Sequence, residues 1–215
     1  MIRKGSNFKD NNRKNRLVKI GSLLFILGFL VFSSKYIYNY FLLKNEEYLI
    51  KSFFEEQQEI NNEVNFDDNI EYQNKKNYKN KIKKTNYFAV IKIPKINLEK
   101  GLCDKNTNCN NVNKNILVLN ESDMPDKEKG NFILAGHSGS GRNAYFKNLY
   151  KLNIDDEISV FYNSNEYKYK MVNQYEIENK GIVNIVRNKD KTILTLITCS
   201  KDTKKQTIII CELIE

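Results

Sequence analysis

The sequence predicts a compact all-β domain, a barrel or a sandwich, carried behind an N-terminal membrane anchor. Seven short β-branched or aromatic runs crowd the stretch from Tyr87 to the C-terminus, at the spacing of strands in a small closed sheet. Near the other end, a fifteen-residue run without a charge directly follows a cluster of basic side chains. The composition agrees with one core plus appendages. The chain has 215 residues, 28% of them charged, and its 40% apolar content lies below the ~45–50% of ordinary globular domains, which excludes a polytopic membrane protein. Nine Gly and two Pro exclude collagen-like and Pro-rich architectures, and four Cys are too sparse for a disulfide scaffold.

The net charge of +9 is unevenly distributed. Residues 1–19 hold seven basic side chains (Arg3, Lys4, Lys9, Arg13, Lys14, Arg16, Lys19) against Asp10, so two-thirds of the excess lies there. Binding of nucleic acid would need a basic surface on the folded domain, and residues 86–215 carry only 19 basic against 16 acidic side chains. The basic cluster instead marks the cytoplasmic flank of a membrane span, so no nucleic-acid partner is expected.

Ile20 to Ser34 is that uncharged run, followed by Lys35 and the apolar-aromatic stretch Tyr36 to Leu43. From Lys19 to Lys35 a helix rises roughly 24 Å against a hydrocarbon core of about 30 Å; the two lysines can snorkel to opposite headgroup layers, with Tyr36, Tyr38 and Tyr40 at the interface. No A-x-A-like cleavage site follows, and a buried core helix would not need the preceding basic side chains. The reading is therefore residues 1–19 as a cytoplasmic tail, 20–43 as a single-pass anchor in contact with lipid, and the remainder outside the cell.

Residues 44–86 are rich in Glu, Asn and Lys. Leu49, Phe53, Ile60 and Val64 fall on one helical face, which predicts a helical stalk, and the polar stretch with Lys75, Lys76, Lys79, Lys81, Lys83 and Lys84 predicts a loose linker. From 87 to 215 the runs Phe88–Ile93, Ile116–Leu119, Phe132–Ala135, Ile158–Tyr162, Tyr167–Ile177, Thr192–Thr198 and Thr207–Ile214 predict seven or eight strands. Pro94 limits the first to an edge or a strand end. Asn143 to Tyr150 predicts one short helix, capped by Asn143, with Phe146, Leu149 and Tyr150 toward the core.

The chain's one histidine, His137, stands where the run Phe132–Gly136 gives way to the glycine-rich Ser138-Gly-Ser-Gly-Arg142. Reactive groups belong at such exits from rigid strands. Cys199 closes the run Thr192–Thr198 in the same way. If the two strands are neighbours, an imidazole beside a thiol raises the thiolate fraction and can later protonate a leaving amine. From spacing alone, a packed histidine and a buried strand cysteine are the commoner roles. Cys211 alternates into the last strand as a core side chain. Cys103 and Cys109 lie in an Asn-rich loop where they could bridge, and neither their spacing nor any nearby histidine makes a metal site. No D-x-D-x-D-G run for calcium is present, so neither metal nor cofactor is expected.

Leu134-Ala-Gly-His137 with its loop, then Thr195-Leu-Ile-Thr-Cys199 and a final apolar strand, resemble the sortases of Gram-positive bacteria. The resemblance covers residues 87–215, and the anchor and stalk agree with it in layout; it is nearest to classes B or D. It implies an eight-stranded β-barrel with one or two short helices and a cysteine transpeptidase. Cys199 would attack a Leu-Pro-x-Thr-Gly-like sorting signal of a secreted protein, and His137 would serve the leaving and incoming amines. The acceptor would be a peptidoglycan precursor or a pilin lysine. Sortases also carry an arginine at the start of the last strand, and no Arg follows Cys199. Gln206 falls at that position, with Lys205 beside it, so the oxyanion would meet a neutral amide or a shifted cation; Arg142 and Arg187 are the only exported arginines. A cysteine peptidase that releases its product to water, or a non-catalytic envelope-binding module, are the alternatives.

Overall fold

The computed structural model describes residues 7–64, 87–181, 183–199 and 204–215, which form two compact units, 1–47 and 48–215. The predicted linker at 65–86 and the residues 200–203 lie outside the described set. One helix, α1, covers Asn7–Val64, and its stretch Asn15–Gln58 is long and apolar enough to cross a membrane. In the first unit the large apolar side chains from Leu23 to Leu43 are exposed, Phe25 by 77% and Leu43 by 71%. An exposed apolar surface of that length, on a helix that satisfies its own backbone, is consistent with a single membrane-crossing segment.

The second unit is an eight-stranded, nearly closed barrel. Its strands are β1 (Tyr87–Ile93), β2 (Leu98–Cys103), β3 (Leu117–Val118), β4 (Asn131–Gly136), β5 (Glu157–Tyr162), β6 (Asn165–Glu178), β7 (Ile193–Cys199) and β8 (Lys205–Leu213). They follow the order β2-β1-β5-β6-β8-β7-β4-β3. All pairs are antiparallel except β4 with β7.

The eighth strand is β2, which the sequence pattern misses because Leu98-Glu-Lys-Gly-Leu-Cys103 has no β-branched residue. It forms because Pro94 opens a one-turn 3-10 segment (Pro94–Ile96) and Asn97 takes a left-handed φ of 51°, folding the chain back on β1. The face of Tyr87 lies on Gly101, where a Cβ would sit 2.1 Å from the ring. At the β5–β6 hairpin Asn163 and Ser164 both have positive φ, 48° and 63°, as a two-residue turn with the native strand twist requires.

Alternation along the strands separates two apolar clusters. Inside the barrel lie Ile91, Leu134, Leu194, Leu196, Ile209 and Cys211, with Phe132 and Tyr169. On the outer face Ile133, Ile193, Ile197, Ile208 and Ile210 pack together beneath Leu119, Tyr175, Val183 and Ile185. Because β4, β7 and β8 are covered on both faces, their sequences are continuous apolar runs instead of alternating ones.

The predicted helix over 143–150 shortens to one 3-10 turn, Leu149–Lys151, preceded by turns. Phe146 and Leu149 are buried as expected, but Tyr150 is 56% exposed, since the tighter winding turns it away from the core. Within the second unit the end of α1 packs on the barrel. Phe53, 1% exposed, and Ile50 cover Val90, and Phe54 meets Phe161 edge to face at 5.0 Å. Gln57 adds a polar contact, accepting a hydrogen bond from Ser164 Oγ at 2.9 Å. Of the predicted stalk face, Phe53 is thus a packing residue, and the side chains of Ile60 and Val64 lie outside the described set.

Candidate active site

The candidate residues stand at the ends of strands whose outer face carries the second apolar cluster. In the parallel β4–β7 ladder, Gly136 is the partner of Thr198 and Ala135 of Ile197. His137 and Cys199 each follow by one residue, just past the last pair of the ladder. Thr198 Oγ1 donates to the Gly136 carbonyl at 2.8 Å and ties the two strand ends together. Cys199 is a free, half-buried thiol. In the β7–β8 ladder its partner is Gln206, and Ile197 pairs with Ile208, so Gln206 continues the face of Ile208 and Ile210. Gln206 is half-buried, and its Oε1 is enclosed with no hydrogen-bond partner among the described residues.

Local sequence explains the position of His137. Gly136 lies under the Phe146 ring, which a Cβ would approach to 2.8 Å, and Phe146 N–H donates to the His137 carbonyl at 3.0 Å. The glycine-rich loop therefore closes back onto the strand end. The ring itself meets a residue that the sequence reading did not single out: His137 Nε2 lies 3.1 Å from Asn113 Oδ1. Asn113 belongs to the loop after β2, whose clustered asparagines are the signature of side-chain-closed turns and were the available signal.

The remaining candidates stand elsewhere. Lys205 Nζ is 3.3 Å from Glu176 Oε2, an exposed ion pair across β6 and β8, and it alternates to the other face from Gln206. Arg187 Nη1 donates to the Lys129 carbonyl at 3.2 Å, beside the start of β4. The strand's six residues separate it from His137 by about 20 Å. Arg142 is exposed in the glycine-rich loop. Cys103 and Cys109 form a disulfide, so neither is a free thiol. Cys211 is fully buried, and desolvation pushes its thiol far above the ordinary range, which keeps it protonated and inert.

The comparisons with known proteins agree with this architecture. Residues 91–214, more than half of the chain, match the family described as the Sortase domain. The chain belongs to the sortase family, a family of cysteine transpeptidases. Over 135 residues it is 29% identical to Sortase A of Bacillus anthracis; the match covers 62% of each protein, so the chain spans less than two thirds of that curated relative. Among solved structures, the Clostridium perfringens Sortase D5 transpeptidase is similar with a TM-score of 0.53 and 26% identity, over 68% of this chain and 91% of that one. Sortase C of Streptococcus pneumoniae, at 17% identity and a TM-score of 0.54 over 64% of this chain and 71% of its own, shares the sortase fold.

Proposed function

We propose that the chain is a membrane-anchored sortase transpeptidase that uses Cys199 as nucleophile, His137 as general acid and base, and Gln206 as the donor to the oxyanion. The observation that carries this reading is the register: the one histidine and the one free, accessible cysteine follow paired residues of neighbouring parallel strands.

In the first half-reaction the Cys199 thiolate adds to the carbonyl carbon of the threonine in a Leu-Pro-x-Thr-Gly-like signal. The carbonyl oxygen takes the negative charge, and the Gln206 amide N–H is the group at hand to donate to it. Collapse of the tetrahedral species breaks the Thr–Gly bond, protonated imidazole gives its proton to the departing amine, and a thioacyl bond remains. In the second half, neutral imidazole takes a proton from the incoming amine, the new amide forms, and the thiolate leaves. A neutral amide binds an oxyanion more weakly than a guanidinium, since charge-assisted hydrogen bonds are roughly twice as strong. Lys205 is the weaker candidate for this role because Glu176 already neutralises it.

The layout we propose keeps residues 1–19 cytoplasmic and spans the membrane with 20–43. Residues 44–86 are the stalk and linker, and 87–215 form the extracellular catalytic domain. Its substrates are secreted proteins with a C-terminal sorting signal, and its acceptor is a cell-wall or pilin amine. The exposed apolar surface of α1 supports the anchor.

The test is a sorting-signal peptide incubated with the full chain, with and without an amine acceptor. Ligated product that disappears in Cys199→Ala is expected. Cleavage that never yields ligation would make the protein a hydrolase, and unchanged ligation in Cys199→Ala would overturn the assignment.

A further inference from the structure

The loop between β2 and β3 is braced throughout, and the bracing converges on the residue that touches His137. The Cys103–Cys109 disulfide ties its first part to the end of β2. Asn110 spans to β3, accepting from Val118 N–H at 2.8 Å and donating to Val118 O at 3.0 Å. Asn111 Oδ1 accepts from Asn113 N–H at 2.9 Å, and its carbonyl accepts from the N–H groups of Lys114 and Asn115, both at 2.8 Å. Asn115 is buried and donates to Gly101 O at 2.9 Å. From the glycine-rich loop, Asn143 Nδ2 donates to the Asn113 carbonyl. A loop tied down at this many points holds Asn113 as a fixed group.

We propose that Asn113 is a positioning residue that keeps the proton of neutral His137 on Nε2, so that Nδ1 is the nitrogen that exchanges protons during catalysis. The inference rests on the transpeptidase reading for its catalytic consequence. The chemistry follows from the contact of 3.1 Å between Nε2 and Oδ1. An imidazole alternating between neutral and protonated forms carries a proton on both nitrogens in the charged form. Only an acceptor facing Nε2 keeps its hydrogen bond through both forms. The amide oxygen of Asn113 is such an acceptor, and the ring need not turn between the two half-reactions.

With one histidine in the chain, the test is free of overlap. The full chain, labelled with nitrogen-15 histidine in detergent micelles, is examined by long-range proton–nitrogen correlation at a pH where the ring is neutral. The proton is expected on Nε2. Asn113→Ala is expected to give mixed tautomers and to lower ligation kcat roughly tenfold or more, with KM within about twofold. Asn113→Asp, which keeps the acceptor oxygen, is expected to retain the tautomer and most of the rate. A wild-type ring protonated on Nδ1, or an Asn113→Ala variant in which either the tautomer or kcat is unchanged, overturns the proposal. The tautomer is read without turnover, so a wild-type chain that fails to ligate peptide overturns the transpeptidase reading while the spectrum still decides the Asn113 contact.

Discussion

Gln206 stands directly across the β7–β8 ladder from Cys199, on the face that Ile208 and Ile210 continue, with an enclosed side-chain oxygen that no group among the described residues satisfies. The neutral amide thus occupies the register position next to the thiol. Gln206→Ala is expected to lower ligation kcat about 100- to 1,000-fold, the range for loss of one oxyanion donor. Gln206→Arg is expected to retain turnover or raise it, because the guanidinium adds charge. Lys205→Ala, which loses only the exposed pair with Glu176, should stay within about twofold of wild type. Steady-state kinetics on the three variants checks all of these; a Lys205→Ala loss larger than that of Gln206→Ala would move the role to the lysine.

The two free cysteines should differ sharply toward alkylation. Cys211 is sealed in the barrel with its thiol held protonated by burial, whereas Cys199 is accessible at a strand end. Brief iodoacetamide treatment followed by peptide mass mapping should find the label on Cys199 alone, with ligation lost in proportion. Labelling of Cys211 in the folded protein at a comparable rate would contradict its burial.

Gly136→Ala should damage both fold and site. The added Cβ would lie 2.8 Å from the Phe146 ring, so either the ring or the strand end must shift. Overpacking of this kind costs about 1–3 kcal/mol, which a thermal melt would register, and the displaced His137 should lower kcat as well. An unchanged melting temperature would show that the ring yields freely.

Asp123 gives the fold a pH dependence. Its carboxylate accepts from Lys127 Nζ at 2.5 Å and from Asn131 N–H at 2.9 Å, and these bonds, the lysine's first, hold its pKa below the ordinary carboxylate value. A lowered folded pKa means stability that is complete above the unfolded value of about 4 and is lost as pH falls through the folded one. Asp123→Asn should therefore destabilise the domain by about 1 kcal/mol at neutral pH and flatten the acid limb of its stability curve. Denaturant titrations from pH 7 to pH 3 measure both; parallel curves for the two proteins would exclude the linkage.

The parts of this protein legible in its sequence are those where one residue type has one physical use. A charge-free run after seven basic side chains reads as one long apolar helix, which the structure has, and the β-branched runs read as strands of a barrel or sandwich. His137 and Cys199 are visible as strand-end residues, yet only the β4–β7 ladder puts the residues before them, Gly136 and Thr198, in register, and pairing between strands sixty residues apart leaves no local trace. The strand Leu98–Cys103 was hidden because its pairing depends on a turn and on the close approach of Tyr87 to Gly101, not on propensity. Asn113 was hidden differently: asparagine looks like solvated loop until its partner is known. The stalk's Phe53 was chosen by helical periodicity, which identifies an apolar face but not the barrel surface it meets.

Ile133, Ile197 and Ile208 belong to the outer apolar cluster, whose face Gln206 continues at the end of its strand. Truncating any of them removes packing from the sheet, so this face tolerates little change. The segment carrying Val183 and Ile185 is freer to vary, since it lies over the cluster from outside the strands. Variation should therefore accumulate in that covering segment while the isoleucines beneath it stay constant.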